Sequence, residues 1–332
     1  MAFLEYLEGI RKIILEIDSM QSLKKNIVLL VGFLCCFAAC EEDKEKRVEG
    51  DSPKKGTIEI SVDESFEPVI REQIAMYEAS NPGTKINAQY KTEAACLKDF
   101  FNDSLNRMVI VTRGLTDKEE KYMISKLGFN PGWNAIASDA VAIVINTNSK
   151  DTLFTMESLQ KKLLGDAGKN QTLVFDGISK TSTARFIQDS VLKGQPYDTA
   201  VVRAVKNSDE VLEYVATHPT AIGFVGINRI GNPENPAQVA MLKRVKLAYL
   251  RCDICQYQPY ILPAQETILN RRYPLVRGLY YLIKENYKGL GNGFVAFLKY
   301  ERGQLIFRRA YLGPTMNFMV RNVHLNTELP KD

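Results

Sequence analysis

Short apolar runs alternate with amphipathic helical stretches after Gly56, and this alternation constrains the fold more than any other feature of the chain. Thr57–Val62, Met108–Val111 and Ala140–Asn146 are apolar runs of strand length, whereas Phe66–Ala79 carries apolar residues at helical spacing. Strands that alternate with helices are typical of α/β proteins. We therefore expect an α/β fold.

Composition excludes several classes of protein. The chain has 332 residues, of which 45% are hydrophobic, and 43 Lys and Arg against 39 Asp and Glu give a formal net charge of +4. This balance excludes a disordered chain and a membrane protein with several spans. The positive excess is too small to indicate a nucleic-acid partner. At ~150 residues per domain, the length predicts two domains.

The N-terminal region has the pattern of a targeting segment. Asn26–Cys40 (NIVLLVGFLCCFAAC) carries no charge, follows Lys24 and Lys25, and is shorter than the ~20 apolar residues that span a bilayer. Two alanines precede Cys40, which resembles a bacterial lipobox with the lipid on that cysteine. Residues 1–40 are therefore predicted to be a lipoprotein signal peptide. An ordinary signal peptide that happens to contain cysteine is the alternative.

Two further features surround this signal. Residues 1–19 are atypical of a signal peptide and indicate either a true start at Met20 or an extended first region. Residues 41–55 are polar and mix both charges, which predicts a solvated tether. We expect the mature protein to be lipid-anchored in the cell envelope, on the periplasmic side or at the cell surface.

The remaining cysteines indicate a local disulfide or free thiols. Cys252 and Cys255 form a C-D-I-C motif, and an oxidising compartment favours a disulfide between them, with two free thiols as the alternative. Zinc needs about four ligands, and beyond this motif only Cys96, His218 and His324 offer sulfur or nitrogen donors. We therefore expect no metal site.

Nucleotide motifs are absent from the sequence. No P-loop pattern occurs, and the glycine-rich segment Gly289–Gly293 lacks the preceding strand that a dinucleotide fingerprint requires. We expect this segment to be a loop, and we expect no cofactor.

Small and hydroxyl residues stand where several predicted helices begin. Such helix starts occur at Asp63–Phe66, Glu93–Ala95, Thr112–Arg113 and Ser179–Arg185. Helix N-termini offer free backbone N–H groups and the positive end of the dipole, so they can bind anions. Each start alone is only a capped helix, but their joint occurrence on one α/β chain suggests an anion site.

Five segments carry a resemblance to a known family: Val62–Pro68, Val111–Arg113, Thr181–Thr183, Ala221–Gly226 and Tyr273–Tyr280. The first three resemble loops that hold the ligand in the periplasmic phosphate-binding proteins of ABC-type uptake systems. The last two resemble that family's Ala-Ile-Gly-Tyr strand and its Tyr-Pro-Leu-x-Arg-x-x-Tyr segment. The resemblance extends from about residue 56 to about residue 326.

The resemblance implies a type 2 periplasmic binding-protein fold, with two α/β lobes joined by crossover hinge strands. Lobe I would comprise residues 56–142 and 247–326, and lobe II residues 143–246. It also implies a phosphate-binding protein without catalysis, which would close on phosphate or a related oxyanion and serve an ABC permease and ATPase.

The resemblance and the helix starts together assign ligand binding to ten residues, namely Asp63, Glu64, Ser65, Phe66, Thr112, Arg113, Thr181, Ser182, Thr183 and Arg185. We expect Arg113 to be the main charge partner, because a guanidinium matches phosphate oxygens in pairs.

The chain departs from the family pattern in its charges. Asp63 and Glu64 replace a glycine and a serine, the family's proton-accepting aspartate falls near Arg107, and the arginine before Ser-Gly-Thr falls near Gly177. Asp63 or Glu64 could accept the ligand's proton instead. The acidic pair also favours an alternative, an envelope interaction or scaffold lipoprotein that kept the fold and lost the anion. An enzyme on a similar fold is a third alternative.

Overall fold

The computed structural model describes residues 51–166, 171–177 and 180–316. The signal peptide and the lipidation predicted at Cys40 lie outside the described residues, as does most of the predicted tether. None of the helices in these described ranges is both long and apolar enough to cross a membrane.

The strands bear numbers in chain order. They are β1 Lys55–Asp63, β2 Gly83–Lys91, β3 Asn106–Val111, β4 Gly132–Asn146, β5 Leu153–Phe154, β6 Thr172–Phe175, β7 Val202–Ala204, β8 Ala221–Gly226, β9 Val245–Leu247, β10 Tyr249–Arg251, β11 Tyr260–Ile261, β12 Val276–Ile283 and β13 Gly313–Pro314.

The helices bear numbers in the same way. They are α1 Glu67–Ser80, α2 Glu93–Asn102, α3 Asp117–Leu127, α4 Met156–Lys161, α5 Ser182–Ser190, α6 Ser208–Thr217, α7 Pro236–Met241, α8 Gln265–Leu269, α9 Leu290–Lys299 and α10 Glu301–Arg309. Short 3₁₀ turns span Glu64–Phe66 and Ile227–Arg229, and a π turn spans Lys162–Asp166.

The main sheet has the order β2-β1-β3-β12-β4-β8-β6-β7, with β9 and β13 also paired to β4. β1 runs parallel to β2 and β3, and β6 runs parallel to β7 and β8, whereas β12 is antiparallel to β3 and β4. Helices follow the parallel strands, so the α/β class predicted from the sequence is confirmed.

The long strand β4 connects the two parts of this sheet. Its first part, to Ala140, pairs with β12, and Val141–Ile145 pairs with β8. Residues 140–146 are all buried, as expected for a strand covered on both faces. The sequence predicted only this apolar part, because the preceding Gly132–Asp139 mixes polar and apolar residues and is held by its partner β12.

The glycine-rich segment is helical, and the prediction of a loop there was wrong from Leu290 onward. Asp51 Oδ1 accepts a hydrogen bond from the Leu290 N–H (3.1 Å), and Glu285 accepts from the N–H groups of Gly291 (3.1 Å) and Asn292 (2.9 Å). These two carboxylates satisfy the free N–H groups of the first turn. A Cβ at Gly293 would lie 2.7 Å from Pro53 Cα, so the glycine lets chain and helix pack closely.

The last residues of the predicted tether are fixed to the fold. Besides capping α9, Asp51 accepts a hydrogen bond from the Tyr287 hydroxyl (3.2 Å) and pairs with Arg107. The Tyr77 hydroxyl donates to the Pro53 carbonyl. The polypeptide therefore enters the described fold at a definite point, beside the amino end of β1.

A disulfide joins Cys252 and Cys255 in the turn between β10 and β11. The backbone N–H of Cys252 donates to the Pro259 carbonyl (2.9 Å) and that of Cys255 to the Cys252 carbonyl (3.3 Å). Of the two alternatives that the sequence left open, the structure contains the disulfide.

Candidate functional site

The first part of the site forms where β1 ends and the chain turns into α1. Asp63 Oδ1 accepts a hydrogen bond from the Ser65 N–H (3.0 Å), which fixes the 3₁₀ turn between strand and helix. Asp63, Ser65 and Phe66 are buried here. The turn therefore carries a carboxylate and a hydroxyl into the interior.

A buried ion pair lies opposite this turn. Arg277 on β12 and Asp139 on β4 face each other in the antiparallel register, and Arg277 Nε lies 2.8 Å from Asp139 Oδ2. Their side chains are 1% and 0% exposed. A guanidinium at such depth requires a carboxylate partner, because desolvating an unpaired charge is very costly.

The start of α5 completes the contacts of Arg277. Its Nη1 donates to Ser182 Oγ (3.1 Å) and lies 3.5 Å from Thr183 Oγ1, while the guanidinium carbon is 5.4 Å from the centre of the Phe66 ring. Thr181 caps the helix by accepting from the Ala184 N–H (3.4 Å). Arg277 thus connects the central strands to a helix N-terminus.

Buried polar atoms without hydrogen-bond partners concentrate around Arg277. Within the described ranges, six of the seven such side-chain atoms are Asp63 Oδ2, Ser65 Oγ, Asp139 Oδ1, Asp176 Oδ1, Asn228 Oδ1 and Arg277 Nη2. Each orphaned group costs roughly 1–3 kcal/mol of stability, so their concentration in one place is characteristic of a ligand site.

Two of these atoms, Asn228 Oδ1 and Arg277 Nη2, lie close to Gly226 of β8. A Cβ built on Gly226 would lie 2.7 Å from Asn228 Oδ1 and 3.4 Å from Arg277 Nη2. Asn228 Nδ2 in turn donates to the Ser65 carbonyl (2.9 Å). We refer to these side chains as the buried polar cluster, defined as Asp63, Ser65, Asp139, Asp176, Ser182, Thr183, Asn228 and Arg277.

A second network lies beside the cluster. Glu93, at the start of α2, accepts hydrogen bonds from the Thr112 N–H (2.9 Å), the Thr112 hydroxyl (2.6 Å) and Arg185 Nε (2.5 Å). Arg185 Nη2 also donates to Thr112 Oγ1 (2.8 Å), and the Ala94 N–H donates to the Lys180 carbonyl (3.2 Å). These bonds hold the starts of α2 and α5 together.

The carboxyl groups of the site have perturbed pKa values. Burial, reinforced by the nearby charge of Glu93 and opposed by Arg277, raises the pKa of Asp63 to about 7. Burial also raises the pKa values of Asp139 and Asp176. For Glu93, burial acts in the same direction, but hydrogen bonds from Arg185 and Thr112 outweigh it and lower its pKa.

The structure brings together some of the residues that the sequence proposed. Asp63, Ser65, Ser182 and Thr183 belong to the cluster, and Phe66 packs against it.

The other proposed residues have different surroundings. Thr112 and Arg185 belong to the Glu93 network. Arg113 forms a two-point pair with Glu119 (2.7 Å to each oxygen), and Glu64 is only half-buried.

Sequence reasoning missed Arg277, Asp139, Asp176 and Asn228 as site residues. Arg277 was noticed only as part of a structural motif. A usable signal existed in the strands, because Asp139 and Arg277 are charged residues within otherwise mostly apolar runs, a position that requires a partner. Among the described residues, no group of His, Cys, Asp and Glu could hold a metal ion.

Comparison with known proteins gives several phosphate-binding relatives. The phosphate-binding protein PstS of Borreliella burgdorferi is 23% identical over 309 residues, which is 87% of this chain and 99% of that protein. The solved structure of a putative phosphate ABC transporter substrate-binding protein with bound phosphate from Clostridium perfringens aligns with a TM-score of 0.62 at 17% identity, covering 79% of this chain and 100% of that one. An ABC-type phosphate transport receptor from Vibrio cholerae gives a TM-score of 0.59 at 18% identity, with 77% and 99% covered.

These relatives are binding proteins rather than enzymes, and the solved structures share the type 2 periplasmic binding-protein fold expected from the sequence. The family model described as a PBP superfamily domain matches residues 47–301, which include every residue of the buried polar cluster. The chain therefore belongs to the PBP superfamily.

Proposed function

We propose that the protein binds phosphate at the buried polar cluster and delivers it to an ABC-type uptake system. The observation that carries this proposal is the unsatisfied Arg277 Nη2, which belongs to the same guanidinium whose Nη1 donates to Ser182 at the start of α5. A guanidinium, hydroxyls and a helix N-terminus are groups that bind phosphate oxygens. The phosphate-related names of the relatives support the same ligand.

Arg277 takes the charge role that the sequence assigned to Arg113. Arg113 is engaged by Glu119, whereas the Nη2 amino group of Arg277 has no partner among the described residues. Asp63 offers a free carboxylate oxygen that can accept the proton of hydrogen phosphate. Sulfate carries no proton near neutral pH, so the ionised form of the same carboxyl group would repel it.

Access to the cluster requires movement, because its side chains are at most 5% exposed. We infer that residues 56–142 with 247–326 form one lobe, that residues 143–246 form the other, and that β4 is one of the strands between them. Separation of the lobes about these strands would admit the ligand. The Glu93–Arg185 pair would then be a contact between the lobes.

The location and partners follow from the same proposal. A lipid on Cys40 would keep the protein in the cell envelope, on the periplasmic side or at the cell surface. An ABC permease and its ATPase would receive the phosphate from the protein.

Ser65→Ala tests the proposal. Ser65 Oγ has no hydrogen-bond partner in the described ranges, so the change should leave the stability of the ligand-free protein nearly unaltered. Loss of a hydrogen bond to a charged ligand should weaken phosphate binding about tenfold or more. Calorimetric titration measures the affinity, and thermal unfolding measures the stability.

Ser80→Ala, on the exposed end of α1, is the matched control and should bind phosphate like the wild type. Unchanged affinity in Ser65→Ala would remove this hydroxyl from the site. Absence of phosphate binding by the wild type would overturn the proposal and support the scaffold alternative.

A further inference from the structure

The buried polar cluster contains more carboxylates than its one guanidinium can neutralise. Arg277 is already paired with Asp139, which leaves Asp63 and Asp176 as additional acids in the same interior. Asp63 Oδ2 and Asp176 Oδ1 are buried, and neither has a hydrogen-bond partner of good geometry in the described ranges, although the Ser182 and Thr181 hydroxyls lie close enough to these two carboxyl groups to oppose the rise of their pKa values. Their other oxygens are occupied by the Ser65 N–H (3.0 Å) and the Ser208 hydroxyl (3.1 Å).

From this excess of acceptors we propose that the site takes phosphate as its dihydrogen monoanion, with one ligand hydroxyl donated to Asp63 and the other to Asp176. The inference rests on the proposed function and specifies the protonation state of its ligand. With both acids ionised, a dianion would meet two carboxylates and leave one of them without a donor. The monoanion carries half the charge, so it is repelled about half as strongly by the two carboxylates, and its two hydroxyls supply one donor to Asp63 and one to Asp176.

Among the described residues, the charged and titratable groups around Asp63 and Asp176 offer no free positive charge besides Arg277. The pKa of Asp63 is raised by Glu93 on α2 and lowered by Arg277 on β12, and Asp63 itself raises the pKa of Cys96 on α2. Around Asp176 the corresponding groups are Arg277, Glu64 in the 3₁₀ turn and Tyr197 after α5. Since Arg185 is paired with Glu93 and Asp189, it adds no free positive charge.

Proton uptake on binding is the consequence that can be measured. Above neutral pH, free phosphate is mainly the singly protonated dianion, and an ionised Asp63 holds no proton. A complex that contains the dihydrogen form must therefore take up about one proton per phosphate near pH 8.5, and its affinity must fall about tenfold per pH unit above that range.

The experiment is phosphate titration calorimetry at pH 8.5 in two buffers with different ionisation enthalpies. We expect about one proton taken up by the wild type and by Glu67→Gln, a control on the exposed part of α1. Asp63→Asn can still accept from the Ser65 N–H, but its amide donates toward the ligand. This variant should bind the dianion with proton uptake close to zero and with little dependence on pH.

The two possible failures are distinguishable. Phosphate binding with no proton uptake by the wild type would overturn this inference and leave the proposed function intact. Full proton uptake by Asp63→Asn and by Asp176→Asn would likewise overturn it, because the proton would then be held elsewhere. No phosphate binding between pH 5.5 and 8.5 would instead overturn the proposed function.

Discussion

At the scale of single residues, the interior position of Asp63 has a cost that depends on pH. Its pKa in the folded protein is about 7, against an ordinary value of 3.8. A carboxyl group with a raised folded pKa contributes stability below its unfolded pKa, and this contribution is lost as the pH rises through the folded pKa. The ligand-free protein should therefore lose stability between about pH 4 and pH 7.

Asp63→Asn should remove this loss. We expect the ligand-free variant to be more stable than the wild type at pH 8, by about 2–4 kcal/mol, and the difference to shrink toward pH 4. Urea unfolding at several pH values measures it, with Glu67→Gln as the control. A constant difference across this range would show that Asp63 titrates normally in the folded protein.

The sequence proposed the hydroxyls and Asp63 of the candidate site, but not its buried ion pair. Ser65 and Ser182 were found because residues that cap helices also bind anions, which is a local signal. Arg277 and Asp139 lie 138 positions apart and become neighbours only through the pairing of β12 with β4. No local pattern encodes that pairing. The role of main charge partner for phosphate was therefore assigned to Arg113, the arginine in the segment Val111–Arg113 that resembles the family.

At the scale of secondary structure elements, the Glu93 network joins α2 to α5. Glu93→Gln keeps the shape of the side chain but removes the charge that Arg185 and Thr112 contact. We expect the free energy of unfolding to fall by about 1–3 kcal/mol, because the hydrogen bonds involve a charged group that is 2% exposed. Chemical unfolding measures this change.

An exposed pair provides the comparison. Arg71→Gln breaks the Arg71–Glu67 pair on the surface of α1, where solvent screens the charges, and it should lower the free energy of unfolding much less than Glu93→Gln does. Equal costs for the two variants would mean that the Glu93 network contributes no more than a surface ion pair.

Helices were predictable where their periodicity was amphipathic, as in α1, and not where distant groups stabilise them. The start of α9 is rich in glycine, which has low helix propensity. It is helical because Asp51 and Glu285 accept its free N–H groups and because Pro53 packs against Gly293. Asp51 and Pro53 are remote in sequence, and Glu285 lies outside any local pattern that marks a helix start. Local reasoning therefore predicted a loop.

At the scale of the whole molecule, alternation of strands and helices was sufficient to predict the α/β class. The order of the strands was not predictable from that pattern, because β12 joins β3 to β4 from far along the chain. The family resemblance supplied the architecture that periodicity could not.

Cys40→Ser tests the proposed anchoring of the molecule. The thiol is the group that would carry the lipid, so we expect the variant to lose metabolic palmitate labelling and to leave the membrane fraction. Two or three acyl chains give stable anchoring, whereas a single chain gives only marginal binding. A labelled and membrane-bound Cys40→Ser protein would contradict the anchor, and Cys96→Ser, a buried thiol, is the control.

The attachment of residues 51–53 has a mechanical consequence. If the chain is anchored at Cys40, any pull from the membrane reaches the fold at Asp51, which Arg107, Tyr287 and α9 hold in place. That point lies beside the amino end of β1, and Asp63 lies at the carboxyl end, about 27 Å away along the strand. The contacts of Asp51 would bear this tension, and the ligand-binding groups would not. The protein released from its anchor should therefore bind phosphate with the same affinity as the protein that is held at the membrane.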